Sequence, residues 1–254
     1  MSKITYPDMI IFDYGHTLLY EPDWDSIRGD IELFKHISKN PRNVTVEDYD
    51  RVIGEVYGKV MEVRENESCD ISAQVADRTA SELLNIEFAL TPLEREIVFW
   101  TAATKGAIMP GADKMLDYLN EKGIRTGVIS NIAWSGEALK DRIYRLLPNN
   151  RFEFLIASSD HMFRKPSKVL FDIALNKAGL PPEKVWYCGD NPKADVEGAA
   201  GAGIFPVWYD NDSEYIDRDY VPQCEHLHIN EWQEMIDILE QEYLNKELKR
   251  FNEY

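Results

Sequence analysis

Short apolar runs alternate with helical patterns along most of the chain, and this alternation constrains the fold more than any other feature of the sequence. The strand-like runs are MIIF, TGVI, EFLIA, VWYC, IFPVWY and HLHI, which end just before residues 13, 130, 158, 189, 210 and 230. Between them lie stretches such as GADKMLDYLNEKG and PSKVLFDIALNKAG, whose apolar residues recur every three or four positions. Strands that are apolar throughout and alternate with helices predict a parallel α/β sheet covered on both faces.

The segment 21–104 interrupts this alternation, because it contains helical patterns but no strand-like run. Two helix-start signals lie in it, Thr45 followed by Glu47 and Asp48, and Thr91 followed by Glu94. The sequence therefore predicts an all-helical domain over 21–104, inserted after the first strand of a core domain that comprises 1–20 and 105–254. The charge-rich stretch 210–220 is predicted to be a solvated loop.

Composition limits the partners of the chain. With 28 Lys and Arg against 45 Asp and Glu, the formal net charge is -17, which argues against binding to nucleic acid or to anionic membranes. No run of about eighteen apolar residues is present. The three cysteines are far apart and form no metal-binding spacing, so we expect a cytoplasmic protein. Such an acidic protein needs a few local cations or a metal ion to hold a small anion.

Polar residues follow four of the predicted strands, at the edge of a parallel sheet where ligands bind. They are Asp13, then Ser130 with Asn131, then Ser158 to Asp160 with Lys165, then Asp190 with Asp195. Each residue taken alone also fits a turn or a helix cap. Their succession at four strand ends instead favours one common site.

This set of side chains suits phosphoryl transfer. An aspartate such as Asp13 can attack phosphorus and form an acyl phosphate. Because two anions must then meet, Mg²⁺ is needed, and Asp13, Asp190 and Asp195 offer the oxygen ligands that it prefers. Lys165 and Ser130 would hold the phosphoryl oxygens.

In this order the motifs resemble those of the haloacid dehalogenase superfamily. IIFDYGHTLL is similar to its first motif, GVISN to its second, FRKP to the lysine of its third, and WYCGDNPKADVEGAAGAGI to its fourth. The resemblance implies a Rossmann-like core, a cap domain at the helical insertion, and an Mg²⁺-dependent phosphohydrolase that acts on a small phosphorylated metabolite. It implies the following roles: Asp13 as nucleophile, Gly15 as a metal ligand through its carbonyl, Asp190 and Asp195 as metal residues, and Ser130, Asn131 and Lys165 as phosphate-binding residues.

The first motif departs from this family's phosphatases at one catalytic position. They carry a second aspartate two residues after the nucleophile, which acts as general acid and base, and here that position is Gly15. The next position, usually glycine, is His16. The loss of general acid and base help costs typically about two to four powers of ten in rate. We therefore expect slow hydrolysis of alkyl phosphates and better activity on acyl, enol or aryl phosphates.

Three alternatives follow from this departure. His16 replaces the missing proton shuttle, or it merely fills its turn. Alternatively, the protein resembles the branches that lack this aspartate: dehalogenases, which work without metal, or phosphonatases, which use a cap lysine, for which Lys35, Lys39 and Lys59 are available. A third possibility is a phosphate- and metal-binding protein with little turnover. Substrate choice belongs to the cap, near whose hinge lie Tyr20, Trp24 and Arg28, and the sequence leaves the oligomeric state open.

Overall fold

A computed structural model describes residues 5–67, 69–211 and 220–252, so most of the charge-rich loop, 212–219, lies outside the described residues. The strands are β1 (Met9–Phe12), β2 (Leu19–Tyr20), β3 (Ile37–Lys39), β4 (Glu87–Phe88), β5 (Ala107–Ile108), β6 (Arg125–Ser130), β7 (Phe152–Ala157), β8 (Val185–Gly189), β9 (Phe205–Tyr209) and β10 (Leu227–Ile229). The α-helices are α1 (Ser26–Phe34), α2 (Val46–Glu67), α3 (Ala73–Leu84), α4 (Pro92–Ala103), α5 (Ala112–Lys122), α6 (Gly136–Leu146), α7 (Lys168–Ala178), α8 (Gly198–Gly201) and α9 (Trp232–Asn252). Within the described ranges, no helix has both the length and the hydropathy needed to cross a bilayer.

The six predicted strands form one parallel sheet in the order β10-β9-β8-β1-β6-β7. The central strand β1 pairs with β6 on one side and β8 on the other, and all four of its residues are buried. Its side chains alternate between two hydrophobic clusters, with Met9 and Ile11 in one and Ile10 and Phe12 in the other. A strand that is buried on both faces has to be apolar throughout, and this confirms the predicted α/β class.

Helices cover both faces of this sheet. One cluster contains buried residues of α5, α6 and α9, including Met115, Ile143 and Trp232. The other contains residues of α7 and α8, including Phe171 and Ala199. With helices on both faces, the carboxyl ends of the strands remain as the place for a ligand crevice.

The insertion, residues 21–104, is mainly helical, but the prediction that it is entirely helical was wrong. Strands β3 and β4 form a two-stranded antiparallel sheet within it, with Ile37 opposite Phe88. These strands have only three and two residues, so their sequences carry no strand-length apolar run. Both predicted helix starts are confirmed, because Thr45 caps the backbone of Asp48 at α2, and Thr91 forms a capping box with Glu94 at α4.

The two chain crossings between the core and the insertion run side by side. Strand β2 on the way out pairs antiparallel with β5 on the way back. Beyond this pair, the backbone N–H of Asp25 donates to the carbonyl of Ala103 at 3.0 Å, and Arg28 donates to the same carbonyl at 3.0 Å. Arg28, which the sequence places near the hinge, therefore joins the two crossings.

Candidate active site

The four predicted strand ends converge on one cavity of about 370 Å³. Asp13 follows β1, Ser130 ends β6 with Asn131 after it, Asp190 follows β8, and Lys165 comes from the loop between β7 and α7. Gly15, His16 and Asp195 also line the cavity, so the structure brings together every residue to which the sequence gives a catalytic, metal or phosphate role, whereas Ser158 to Asp160, expected at the same edge, do not line it. Their convergence follows from the parallel sheet, whose strand ends all face the same edge.

Lys165 lies at the centre of this cluster and is 3 % exposed. Its Nζ donates to Asp13 Oδ1 at 2.6 Å, to Asp195 Oδ1 at 2.6 Å and to the hydroxyl of Tyr187 at 2.7 Å. Burial opposes the charge on Lys165, but the carboxylates of Asp13 and Asp195 outweigh burial and raise its pKa. The ammonium group is therefore charged and fixed beside the proposed nucleophile.

Asp195 is held against the end of β8 by a close approach to Gly189. A Cβ atom at position 189 would lie 2.4 Å from the carboxylate of Asp195, so any larger residue would displace that side chain. The other oxygen of Asp195 accepts the backbone N–H of Asn191 at 3.0 Å. Glycine at the strand end thus positions the carboxylate that contacts Lys165.

Three carboxylates face this single ammonium group. Burial is the largest cause that raises the pKa of Asp190, and the charges of Asp13 and Asp195 add to it, which brings that pKa to about 8. Burial likewise raises the pKa of Asp13 to about 6, and the nearby Lys165 limits the rise. The cluster carries more negative charge than Lys165 neutralises, and a further cation would lower both pKa values.

The donor set fits a magnesium ion. Asp13, Asp190 and Asp195 each offer one carboxylate oxygen, and these atoms lie within 4.8 Å of one another. Oxygen ligands on a few carboxylates are what Mg²⁺ prefers in proteins. A cation bound among these carboxylates would also oppose the burial that raises the pKa of Asp13 and Asp190.

The two predicted phosphate residues of the second motif are placed differently. Ser130 is 3 % exposed and lines the cavity wall. The amide of Asn131 donates to the carbonyl of Lys165 at 2.9 Å and accepts the N–H of Lys165 at 2.7 Å. The Asn131 side chain therefore fixes the loop that carries Lys165, and a phosphate contact from this residue would have to come from its backbone.

Gly15 and His16 form the turn that follows the nucleophile. The backbone N–H of His16 donates to the carbonyl of Leu19 at 2.8 Å, and His16 has a left-handed φ of 52°. That conformation explains why glycine is usual at this position of the motif. The ring is half-buried on the cavity wall, and burial lowers its pKa. The role of His16 as a proton shuttle stays a prediction.

Three further residues at the site were not predicted from the sequence. Tyr187 accepts a hydrogen bond from Lys165, but its strand VWYC looks only apolar. Glu21 and Arg164 line the cavity, and Arg164 adds a second cation next to Lys165. The only available signal was the position of Arg164 in FRKP, directly before the lysine.

The lysines of the insertion lie away from this cavity. Lys35 pairs with Glu32 at 2.6 Å and Lys39 with Glu87 at 2.5 Å, both on the surface, and Lys59 is exposed. None of the three lines the site. Their placement gives no support to a Schiff-base mechanism of the phosphonatase kind.

A family model described as haloacid dehalogenase-like hydrolase matches residues 7–203. The chain belongs to this family. Among curated haloacid dehalogenase-like proteins, it is 30% identical over 138 residues to the glyceraldehyde 3-phosphate phosphatase of Pyrococcus furiosus, covering 53% of this chain and 55% of that protein. The chain thus spans about half the length of the curated relatives it matches.

Solved structures of the family share the fold. A phosphatase from Thermococcus onnurineus matches with a TM-score of 0.58 at 20% identity, over 91% of this chain and 97% of that one. A 2-haloacid dehalogenase from Pseudomonas syringae pv. tomato matches with a TM-score of 0.58 at 19% identity, over 92% and 99% of the two chains. Because phosphatases and dehalogenases share this architecture, the reaction has to be argued from the site.

Proposed function

We propose that the protein is an Mg²⁺-dependent phosphohydrolase that acts on a small phosphorylated metabolite through a phosphoryl group carried by Asp13. The observation that carries this proposal is the buried cluster in which Lys165 contacts both Asp13 and Asp195 while Asp190 lies close by. A carboxylate nucleophile, a fixed cation and an acidic metal set are the parts that phosphoryl transfer requires. The matched relative in Pyrococcus furiosus is also named as a phosphatase.

In the first step, a carboxylate oxygen of Asp13 forms a bond to phosphorus while the bond from phosphorus to the leaving oxygen breaks. Lys165 holds Oδ1 of Asp13 and thereby orients the carboxylate. The ammonium group also offsets charge on the phosphoryl oxygens. In the second step, water attacks the phosphorus of the acyl phosphate, which releases inorganic phosphate and restores Asp13.

Asp13, Asp190 and Asp195, with the carbonyl of Gly15, would hold the metal ion. Bound Mg²⁺ supplies positive charge where the anionic substrate meets the carboxylate of Asp13. The three carboxylates otherwise repel a phosphate group, and the protein as a whole carries a net charge of -17. Metal dependence is therefore part of the proposal.

Glycine at position 15 limits the range of substrates. No carboxyl group at this position is available to protonate the leaving oxygen. Acyl, enol and aryl phosphates leave without much protonation, whereas alkyl phosphates need an acid. We propose the first three classes as preferred substrates, with His16 as the nearest replacement for the missing acid.

The test is Mg²⁺-dependent phosphate release from matched acyl, aryl and alkyl phosphates. We expect activity in the order acyl and aryl above alkyl, loss of activity with chelator, and loss of activity in Asp13→Asn. Asp113→Asn, on the exposed start of α5, is the matched control and should leave the rates unchanged. Metal binding without turnover on any of the three would favour a binding protein, and full activity in Asp13→Asn would contradict the nucleophile assignment.

A further inference from the structure

A second cavity, the insertion pocket, lies among the helices of the insertion and has a volume of about 380 Å³. Its walls come from α1, α2, α3 and α4, together with Ala133 and Trp134 of the core. This volume is within the range of about 300–1,000 Å³ that is typical of small-molecule sites. No sequence motif marks this pocket.

Two of the carboxylates in its wall already have partners. Asp77 accepts the hydroxyl of Tyr49 at 2.6 Å and pairs with Arg95 at 2.7 Å. Glu96 accepts the side-chain amide of Gln74 at 2.8 Å and the backbone N–H of Ser135 at 3.0 Å. These two groups are therefore structural parts of the wall.

Asp30 and Asp50 are different. Asp30 is 1 % exposed, and its Oδ1 is buried without a hydrogen-bond partner among the described residues. Burial, followed by the charge of Asp50 and a side-chain hydrogen bond with Asp50, raises the pKa of Asp30 to about 8. Since Arg95 is paired with Asp77, the described lining offers no second cation to Asp30 and Asp50. The unpartnered Oδ1 leaves a buried oxygen that can accept a hydrogen bond from a ligand, and a cation beside it would favour the ionised form of Asp30.

The arrangement of the carboxylates in the insertion pocket argues for an organic cation rather than a metal ion. Within the described residues, three metal-ligating groups come within 4.8 Å of one another only at Asp13, Asp190 and Asp195. No three of the described carboxylates in the insertion pocket come that close, so they do not form a compact metal site of three carboxylates.

The remaining wall is aromatic. Trp24 lies 6.1 Å from Phe99, and Phe99 lies 5.6 Å from Trp134, measured between ring centroids, and Tyr57 adds a fourth ring to the lining. Aromatic rings attract ammonium groups and cover apolar carbon chains. Carboxylates and rings together therefore fit an amine or quaternary ammonium group on an apolar skeleton.

The insertion pocket adjoins the active-site cavity along the chain. Ile132 lines the active-site cavity, and the next two residues, Ala133 and Trp134, line the insertion pocket. At the hinge, Glu21 lines the first cavity and Trp24 lines the second. Consecutive residues of the chain therefore line the two cavities, which makes the insertion pocket the candidate site for the leaving group of a phosphate held at Asp13.

We propose that the insertion pocket binds an organic cation on the leaving group of the substrate, with the ammonium group at Asp30 and Asp50. The substrate class is therefore an acyl, enol or aryl phosphate whose leaving group carries an ammonium group. This inference rests on the proposed phosphohydrolase function for its assignment to the substrate, while the binding of a cation can be measured without turnover.

Calorimetry with benzylamine, and with benzyl alcohol as its neutral counterpart, tests binding directly. We expect benzylamine to bind at least about tenfold more tightly, because a charge-assisted contact contributes roughly that much. Asp30→Asn and Asp50→Asn should each weaken benzylamine binding by about tenfold, and the distant Asp113→Asn should not. Because Asp50 is partly exposed, we expect Asp50→Asn to fold, and this variant provides the binding test if Asp30→Asn does not fold. Equal binding of amine and alcohol, or unchanged binding in a folded Asp30→Asn or Asp50→Asn, would overturn the proposal.

Turnover then tests the link to the substrate. Aryl phosphates that carry an aminoalkyl chain on the ring are compared with aryl phosphates that carry an n-alkyl chain of equal length, and we expect a preference of about tenfold in kcat/KM at the matching length, which Asp30→Asn removes. An active enzyme with no preference at any length would overturn the substrate class. Benzylamine binding with no hydrolysis of any ester would instead refute the phosphohydrolase function and leave an organic-cation site.

Discussion

The backbone around residue 15 leaves space for a side chain in place of the missing acid. A Cβ atom on Gly15 would meet no other atom within 4 Å, whereas its neighbour His16 has a φ of 52°. The turn therefore accepts a side chain at position 15 and is strained at position 16. The turn favours glycine at position 16, where the chain has His16, and does not require glycine at position 15. The structure therefore gives no packing reason for Gly15.

Replacing Gly15 with Asp should accordingly restore a proton donor without disturbing the turn. We expect alkyl phosphate hydrolysis to rise by about two powers of ten, since general acid catalysis typically contributes that much or more. The control is Gly15→Asn, which has a similar shape but no acid. Steady-state phosphate release measures both variants. An equal rise in the two, or no rise in the aspartate variant, would show that proton transfer is not what limits the reaction.

Asp190 links metal binding to pH. Its pKa of about 8 in the folded, metal-free protein lies above its ordinary value of 3.8. The folded state therefore holds more protons than the unfolded state between these values, and this group lowers the free energy of unfolding as pH rises from about 4 to about 8. Mg²⁺ requires the ionised carboxylates, so it should raise Tm more at about pH 8.5 than at about pH 6.

Differential scanning fluorimetry with and without Mg²⁺ at the two pH values measures this effect. Asp190→Asn removes the titrating group and should abolish most of the difference between them. A shift in Tm that is the same at both pH values in the unaltered protein would rule out Asp190 as a metal ligand with a raised pKa.

At the scale of elements, the sequence predicted the strands and helices that have a regular hydrophobic pattern. It did not predict features that depend on contacts between residues far apart in the chain. The long apolar runs predicted all six strands of the parallel sheet, and the strand ends predicted the cluster of carboxylates around Lys165. The pairing of β3 with β4 depends on contacts between residues about fifty positions apart. The carboxylates of the insertion pocket come from separate helices and have no common spacing, so no local sequence pattern predicts that they meet.

The contact of Asp70 with the core was also not predicted, because its partners in the core lie far away in the sequence. Asp70 lies between α2 and α3, its side chain is fully buried, and it accepts a hydrogen bond from Ser158 at the end of β7. Arg64 lies 2.5 Å from its carboxylate, and Arg164 of the active-site cavity lies 3.7 Å away. Asp70 therefore connects the insertion to the loop that carries Lys165.

Substitution of Asp70 by Asn should weaken this connection. Removing one member of a buried ion pair leaves the arginines without a counter-charge, and we expect the free energy of unfolding to fall by about 3 kcal/mol. Urea denaturation of Asp70→Asn, beside the exposed Asp113→Asn, measures the loss. A change below about 1 kcal/mol, which is typical of surface ion pairs, would show that Asp70 does not hold the insertion on the core.

At the scale of the whole molecule, a strongly acidic chain concentrates its binding chemistry at one edge of a parallel sheet. The net charge of -17 repels phosphate esters, and Lys165 and Arg164, beside the carboxylates of the active-site cavity, counter that field at the proposed nucleophile. A cationic leaving group would be attracted by the same overall charge. In this proposal the active-site cavity holds the phosphate, while the overall negative charge and the insertion pocket favour an ammonium group on the same substrate.

The central claim is that Asp13 carries the phosphoryl group. Acid quenching during turnover of an aryl phosphate, followed by proteolysis and mass spectrometry, tests it most directly. The account predicts that the peptide containing Asp13 gains the mass of one phosphoryl group, only when Mg²⁺ is present, and that Asp13→Asn shows no such peptide. Phosphate release with no modified Asp13, or a phosphoryl group on another residue, would contradict it.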